Sequence, residues 1–376
     1  MKNTLICTVG TSLFEGNLKH LSESTDKKPG NWIEIKTNYE NQNWTLLAKE
    51  LLKLDPTARL VGAEINTVEE ALKKKWLNLK NLIFLVSDTE IGRNTGILLK
   101  KYFEGRNDIQ LQNDVIVIEI AKLQDPAPNE FKTKGLRNLV RAIGEYLDRF
   151  GLENCSIDAT GGYKAQIAIA VLIGQALDIP VYYKHERFNE IIDFPRLPIS
   201  LDYDLLGRNA HILTEFEKGE VFSSDQLGQF DERINVFLNE IDVDDKKLYE
   251  LNAIGQLYLT SFNLRYSKEI ILNSCPEEKR KEPTFRDDHY PDNFKPFVRK
   301  IWDDNKWIQT CWSLDYSKQK SIKGTEFFVR EMNEENELVG TYKSKNFGAR
   351  FRIKIYDENL EKLNLAAYRL NQKYNN

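Results

Sequence analysis

The first 200 residues alternate between short apolar runs and helical patterns, and this alternation constrains the fold of the 376-residue chain most strongly. Runs rich in apolar and β-branched residues predict strands at 5–9, 81–87, 114–120, 155–158 and 181–183. Helical periodicity predicts helices near 42–54, 67–76, 93–104, 132–150 and 163–177. Short apolar strands interleaved with helices are typical of a parallel sheet covered on both faces. We therefore expect an α/β, Rossmann-like doubly wound domain over 1–204, with ligands bound beyond the carboxyl ends of the strands.

The remainder of the chain changes character and predicts smaller parts. Short helix-like segments and a hairpin over 205–266 indicate a winged-helix-like module. The charged, proline-containing stretch 267–293 is typical of a linker or surface segment. From 294 to 376 a helix, several strand-like runs and a final helix predict an α+β domain. Its elements are predicted at 294–303, 307–315, 325–331, 337–342, 349–356 and 358–373.

Composition argues against several classes of protein. No window approaches about eighteen uncharged apolar residues, so we expect no membrane span and a cytoplasmic location. The 4 cysteines and 4 histidines are dispersed, which argues against a disulfide framework, a zinc site and metal catalysis. Residues 266–376 hold 21 Lys and Arg against 18 Asp and Glu, whereas the remainder holds 32 against 39. A mildly basic tail on an acidic body permits a polyanionic partner for the tail.

The first candidate site follows the first predicted strand, in the sequence TVGTSL. Its Gly10, Thr11 and Ser12 offer backbone N–H groups and hydroxyl donors to a phosphate or ribose. The dinucleotide fingerprint GxGxxG is absent, which argues against NAD. A tight turn with a hydroxyl helix cap explains the same residues equally well.

The second candidate site follows the fourth predicted strand, in the sequence ATGGYK. The residues concerned are Thr160, Gly161, Gly162, Tyr163 and Lys164. The two glycines let the backbone approach a ligand closely, and the start of the next helix favours an anion. Lys164 opposes the helix dipole there, so an anionic partner would explain it. The alternative is an ordinary glycine turn with a solvated lysine.

A third polar loop, SDTEIGRNTG, follows the second predicted strand and begins with Ser87, Asp88 and Thr89. The carboxyl ends of parallel strands meet at one edge of a sheet, so this loop could shape the rim of the same site. Helix capping explains its first residues as well.

The three loops together resemble the CRISPR-associated Rossmann-fold (CARF) family over roughly residues 1–200, and TVGTSL and ATGGYK are jointly the most specific elements. The resemblance implies a homodimer whose two-fold cleft binds cyclic tetra- or hexa-adenylate, made by a type III CRISPR complex in antiviral defence. This cyclic oligoadenylate would be the activating ligand, and no other cofactor is implied.

In family members with this pair of loops, the hydroxyl after GT and the lysine after GGY contact the ring and can promote its slow cleavage. The resemblance carries these roles over to Ser12 and Lys164. The chemistry is plausible without a metal, since a ribose 2′-OH can attack its own phosphodiester while Lys164 stabilises the phosphorane and Ser12 orients the phosphate. Binding without cleavage is an equal alternative.

The C-terminal part departs from the common effectors of such proteins. It lacks the Arg-x(4–6)-His motif of HEPN ribonucleases and shows no PD-(D/E)xK nuclease pattern. Instead, 339–354 contains five cations and no acids, and strand alternation places Arg350, Arg352 and Lys354 on one face. These cations would hold RNA phosphates, with a tyrosine as acid and base. The predicted ribonuclease residues are Tyr342, Lys343, Arg350, Arg352 and Lys354, with Tyr356 as the alternative tyrosine.

Residues 294–373 resemble the RelE/ParE-type toxin fold, which implies metal-independent mRNA cleavage and association with the ribosome. The solvated face of a hairpin explains the same cations. We therefore expect a dimeric accessory protein in which cyclic oligoadenylate controls a ribonuclease acting on RNA. A ring nuclease with a structural tail and a ligand-gated regulator remain alternatives, although the acidic helices of 205–266 argue against direct DNA contact.

Overall fold

The computed structural model describes residues 1–376 except 27, 125, 186–189, 228–230, 244–245, 287–288, 316–321, 346 and 376. The chain forms two compact units. The first comprises Met1–Ser200 with Asn252–Leu264, and the second comprises Leu201–Leu251 with Arg265–Asn376. The predicted module at 205–266 is therefore shared between the two units. Among the described residues, no helix combines the length and apolar character that crossing a bilayer requires.

The bounds of the regular elements are as follows. The strands are β1 (Lys2–Thr8), β2 (Leu77–Ser87), β3 (Ile116–Ile120), β4 (Cys155–Asp158), β5 (Val181–Tyr183), β6 (Ile192–Asp193), β7 (Phe222–Ser223), β8 (Leu238–Val243), β9 (Lys246–Leu251), β10 (Ile308–Ser313), β11 (Phe327–Met332), β12 (Glu335–Ser344) and β13 (Phe347–Ile355). The α-helices are α1 (Trp32–Glu40), α2 (Trp44–Leu51), α3 (Ala63–Lys73), α4 (Glu90–Glu104), α5 (Pro128–Glu130), α6 (Leu136–Phe150), α7 (Lys164–Leu177), α8 (Asp204–Arg208), α9 (Ala210–Lys218), α10 (Ser224–Leu227), α11 (Ala253–Ser261), α12 (Ser267–Glu269), α13 (Phe294–Asp304) and α14 (Leu360–Tyr374). Short π-helical segments lie at Ser12–Leu18, Phe131–Gly135 and Phe262–Tyr266.

The first unit is built on a six-stranded sheet with the strand order β3-β2-β1-β4-β5-β6. Strands β1 to β5 pair in parallel, and β6 runs antiparallel to β5 at the edge. The strand order reverses between β1 and β4, and sheets of this type bind ligands in the crevice at such a reversal. The predicted Rossmann-like parallel sheet is confirmed.

Alternate residues of the central strands pack on opposite faces of this sheet. Leu5 and Cys7 belong to one buried cluster, which α2, α3 and α4 complete. Ile6, which lies between them, belongs to a second cluster with α6, α7 and α11. Because both faces are covered, the strands are almost continuously apolar, which is why the sequence pattern predicts them.

Two helices of the first unit differ from the prediction. Helical periodicity does not predict α1, because this helix contributes only Ile35 to the buried core. The helix predicted at 67–76 begins earlier, at Ala63, and its first turns bury Glu64, Asn66 and Thr67. These polar side chains interrupt the apolar stripe that marks a helix in the sequence. They are buried because they hydrogen-bond to neighbouring loops: Glu64 to the loop after β1, Thr67 to the loop after β4 and Asn66 to the chain before α3.

The second unit contains two antiparallel sheets, with the strand orders β7-β9-β8 and β10-β13-β12-β11. Helix α14 packs against β11 and β12 of the larger sheet and against α8 and α9. Strands β10 to β13 and helices α13 and α14 lie where the sequence predicts them, within a few residues. The predicted α+β C-terminal domain is confirmed.

Part of the predicted linker, 267–293, lies along the edge strand β10. Thr284 N donates to Cys311 O at 2.9 Å, and Ser313 N donates to Thr284 O at 3.2 Å. Unpaired edge strands expose hydrogen-bonding groups that invite aggregation, and this segment covers them. It is therefore an ordered part of the second unit.

Candidate functional site

The loops after β1 and β4 meet backbone to backbone at the carboxyl edge of the parallel sheet. The two strands pair as far as Cys7 and Asp158. A Cβ atom at Gly10 would lie 2.7 Å from the backbone N of Gly162, and one at Gly161 would lie 2.6 Å from the backbone N of Gly10. A side chain does not fit at these distances, so both positions require glycine. The structure brings the TVGTSL and ATGGYK loops together.

Two buried polar side chains hold these loops in place. Thr8 Oγ1 donates to Gly161 O at 2.6 Å, and Gly10 N donates to Glu64 Oε1 at 3.0 Å. Glu64 is fully buried in the first turn of α3. Buried hydrogen bonds of this kind are expensive to break, so they join the end of β1, the start of α3 and the glycine loop into one framework.

A buried carboxyl group lies beneath the glycine loop. Asp158 ends β4 and is fully buried, and its Oδ1 accepts from Thr160 N at 2.9 Å. Burial, together with the nearby Glu64 carboxylate, raises the pKa of Asp158 to about 8. Asp158 therefore keeps its proton at neutral pH, and the floor of the site carries less negative charge than the sequence implies.

The helix after the glycine loop presents Lys164 to solvent. Gly162 has a φ of +100°, which favours glycine, and Tyr163 N donates to Gln166 Oε1 at 3.0 Å at the start of α7. The Tyr163 ring packs edge-on against Phe131, with ring centroids 5.2 Å apart. Lys164 is the first residue of α7 and its side chain is exposed. A cation beside a helix N-terminus is well placed to meet an anionic ligand.

Thr11 and Ser12 lie where β1 passes into the π-helical segment Ser12–Leu18. The side chain of Thr11 makes no capping hydrogen bond to this segment. Helix capping, the alternative explanation of TVGTSL, therefore does not account for Thr11. Ser12 instead lines a polar pocket. The lining residues are Ser12, Asn17, Arg59, Ala63, Asn66 and Lys184.

Lys184 is the buried cation of this polar pocket. It directly follows β5, is 9% exposed, and its ammonium pairs with Glu70 of α3. Its backbone N donates to Thr160 Oγ1 at 2.9 Å, and Thr160 Oγ1 lies 2.9 Å from Thr67 Oγ1. Burial lowers the pKa of Lys184. The end of β5 thus adds a lysine to the site formed by β1 and β4.

Of the polar residues that line this pocket, only Ser12 belongs to one of the sequence motifs. The others lie outside every motif: Asn17, Arg59, Asn66 and Lys184. One signal was present for Lys184, because it follows an apolar strand directly, as the other candidate loops do. Within the described part of the chain, no three His, Cys, Asp or Glu side chains are grouped as metal ligands.

The loop after β2 is organised as a helix cap. Gly92 N donates to Thr89 Oγ1 at 3.0 Å, and Thr89 Oγ1 lies 2.9 Å from Ser87 Oγ. Asp88 Oδ2 accepts from Lys122 N at 2.7 Å. The capping alternative therefore accounts for Thr89. Ligand contact by Ser87, Asp88 and Thr89 stays a prediction.

In the second unit, strand register separates the predicted ribonuclease residues. The burial of β13 alternates, so Arg350, Arg352 and Lys354 lie on the face opposite buried Phe351, as the sequence predicts. Residues directly opposite in an antiparallel pair share a face. Lys343 pairs with Gly348 and therefore shares the face of the three cations, which we call the cationic face.

Tyr342 lies on the other face of the sheet. It pairs with Ala349, which shares the face of Phe351. Its hydroxyl donates to Asp292 O at 3.2 Å, and its ring packs against Phe297 with centroids 4.6 Å apart. The expectation that Tyr342 serves as acid and base beside the cations is therefore wrong in its geometry, because the sheet separates them.

The arginines of the cationic face differ in their surroundings. Arg352 Nη1 pairs with Glu337 at 2.6 Å and its Nη2 with Glu358 at 3.4 Å, and its guanidinium lies over the Trp312 ring. Arg350 is half-buried, and burial lowers its pKa, as does nearby Arg330. Lys343 and Lys354 are exposed. A phosphate would have to compete with two carboxylates for Arg352.

Comparison with known proteins gives one family match, to a model described as "CRISPR-associated protein (Cas_APE2256)", over residues 59–197. No curated protein matches the chain. Among solved structures, the chain is similar to Can2 from Sulfobacillus thermosulfidooxidans in complex with cyclic tetra-adenylate, with 11% identity and a TM-score of 0.25. That match covers 71% of this chain and 64% of the other, so the chain spans less than two thirds of that protein. The family match supports a relation to CRISPR-associated proteins for a stretch that contains Arg59, the ATGGYK loop and Lys184.

Proposed function

We propose that this protein is an accessory protein of a type III CRISPR system and that its first unit binds a cyclic oligoadenylate. The family match over 59–197 supports the association with CRISPR. The strand-order reversal between β1 and β4 supports a ligand site at that edge of the sheet.

One observation carries the proposal: the Gly10 and Gly161 loops touch through their backbones, between a pocket that contains Ser12 and the exposed Lys164. A cyclic oligoadenylate presents phosphodiesters at regular intervals around a ring. Hydroxyl, backbone and ammonium donors along one edge of the sheet are complementary to such a ligand. The protonated Asp158 beneath them adds little repulsion.

We place the ring in a cleft formed by two copies of the first unit. Rings of four or six identical nucleotides have two-fold symmetry, and a two-fold homodimer presents the same donors from both sides. Each copy would then contribute Ser12 and Lys164 to half of the ring. This arrangement predicts one ring for every two chains.

The proposed output is a metal-independent ribonuclease on the cationic face of the second unit. Lys343, Arg350 and Lys354 would hold RNA phosphates and stabilise a cyclising phosphodiester. Arg352 has two carboxylate partners, so its contribution is to position the strand or to join the phosphate contacts once RNA displaces a carboxylate. Tyr356, the turn residue directly after β13, replaces Tyr342 as the proposed acid and base. Association with the ribosome is part of this proposal.

Cleavage of the ring by the first unit is the second candidate function. Among the described residues, the side chains of Ser12 and Lys164 make no hydrogen bond or ion pair, so both are available to a ligand. Ser12 would orient a phosphate and Lys164 would stabilise its charge while a ribose 2′-OH attacks.

The test incubates the full chain with single-stranded RNA in EDTA, with and without cyclic tetra- or hexa-adenylate. We expect RNA cleavage only with the cyclic ligand, and its loss in Arg350→Ala but not in Arg299→Ala, a control at an exposed position on α13. Loss of the ring with intact RNA, abolished by Lys164→Ala, would instead establish ring cleavage. If neither substrate changes, both enzymatic proposals are wrong.

A further inference from the structure

We propose that Lys184 is a further ligand-binding residue, which holds a phosphodiester of the cyclic oligoadenylate on the Ser12 side of the site. Glu70 is the ion-pair partner that offsets the cost of burying the Lys184 ammonium. This inference rests on the proposed function, because it names a contact for the same ligand.

The environment of Lys184 is unusual for a lysine. Lysine is seldom buried, yet Lys184 is only 9% exposed and lines the same pocket as Ser12. An ammonium group has three N–H donors, and among the described residues its acceptor is one Glu70 oxygen. The other two N–H donors have no acceptor within the described part of the chain, and we assign them to a ligand in the pocket.

Hydrogen bonds fix Lys184 relative to the glycine loop. Its backbone N donates to Thr160 Oγ1 at 2.9 Å, and Thr160 belongs to the ATGGYK loop. The same hydroxyl lies 2.9 Å from Thr67 Oγ1 of α3. The lysine backbone is thus connected both to the loop and to the helix, so its side chain enters the pocket from a defined position.

Glu70 is held independently of the lysine. Its Oε2 accepts from Ile191 N at 2.8 Å, while its Oε1 pairs with the Lys184 ammonium. The carboxylate therefore keeps its place when a ligand shares the ammonium. Such an arrangement preorganises the cation without consuming all of its donors.

The other polar residues of the pocket shape its wall. Asn66 Nδ2 donates to Pro56 O at 2.7 Å, and Asn17 Nδ2 donates to Arg59 O at 2.8 Å. Their amide groups are thus directed at the chain before α3. The charged donors of the pocket are Lys184 and exposed Arg59, and together they favour an anion next to the Ser12 hydroxyl.

The test measures the affinity of the full chain for cyclic tetra- and hexa-adenylate by isothermal titration calorimetry. Lys184→Gln alone would leave the Glu70 carboxylate buried without its cation, which can unfold the unit. The double variant Glu70→Gln/Lys184→Gln removes both charges and keeps amide groups in place. Glu70→Gln alone retains the lysine, and Lys49→Gln alters an exposed lysine on α2.

We expect the double variant to bind about 10-fold more weakly or worse, because a charge-assisted hydrogen bond is lost. Glu70→Gln should bind no more weakly than wild type, and Lys49→Gln should match wild type. The inference is overturned if the double variant binds like wild type, or if Glu70→Gln alone weakens binding as much, since the pair would then be purely structural. If the wild-type chain binds neither ring, the proposed function fails and this inference fails with it.

Discussion

The contact between the glycine loops gives a quantitative prediction for Gly161→Ala. The new Cβ would lie 2.6 Å from Gly10 N and 2.8 Å from Thr8 O, and it would also clash with Glu64 Oε1. Two of these neighbours are backbone atoms of β1 and its loop, so they cannot rotate away. Inserting a methyl group into a closely packed region costs about 1–3 kcal/mol.

A loss of about 2 kcal/mol should lower the midpoint of thermal unfolding of the first unit by about 4–8 °C. It should also weaken binding of cyclic tetra-adenylate, since the two loops must move apart. Differential scanning fluorimetry and calorimetric titration measure the two effects. Gly16→Ala is the matched control, because its nearest neighbour, Ser12 Cβ, would lie 3.9 Å from the new atom. Equal midpoints and equal affinities for the two variants would refute the proposed loop contact.

The remaining predictions concern other parts of the two units. Asp158 has a pKa of about 8 in the folded chain against about 4 when unfolded, so its contribution to stability falls as pH rises from 4 to 8. Asp158→Asn should therefore become progressively more favourable relative to wild type over that range in urea unfolding, by up to about 1.4 kcal/mol per pH unit, and a pH-independent difference would contradict this. Thr89→Ala removes the bond to Gly92 N and should cost about 1 kcal/mol in the same assay; an unchanged stability would argue against the cap. Tyr342→Phe should leave any RNA cleavage unchanged, and Tyr356→Phe should reduce it, as measured by kinetic assays on labelled RNA. Slower cleavage by Tyr342→Phe with unchanged cleavage by Tyr356→Phe would contradict this.

The fold was largely predictable because its signals are local. Strands buried on both faces are continuously apolar, as in β1, and the amphipathic helices α6 and α14 carry clear periodicity. Helix α1 was not predicted because it buries a single residue, Ile35. The start of α3 was not predicted because the buried residues there are polar and interrupt the apolar periodicity.

The candidate site was predictable only where glycine and hydroxyl residues form motifs. Gly10 and Gly161 are required by a backbone contact between loops more than a hundred residues apart, and the motifs anticipated both. Lys184 belongs to the site only because the sheet order places β5 next to β4. The position of Tyr342 depends on the pairing of β12 with β13, and a register cannot be deduced from composition.

The most direct test of the central proposal is a calorimetric titration of the full chain with cyclic tetra-adenylate, cyclic hexa-adenylate and linear tetra-adenylate. We predict saturable binding of at least one ring with a Kd of about 1 μM or tighter. The predicted stoichiometry is one ring for every two chains, with much weaker binding of the linear form. Absence of saturable binding of both rings, or equal binding of the linear form, would contradict the proposal.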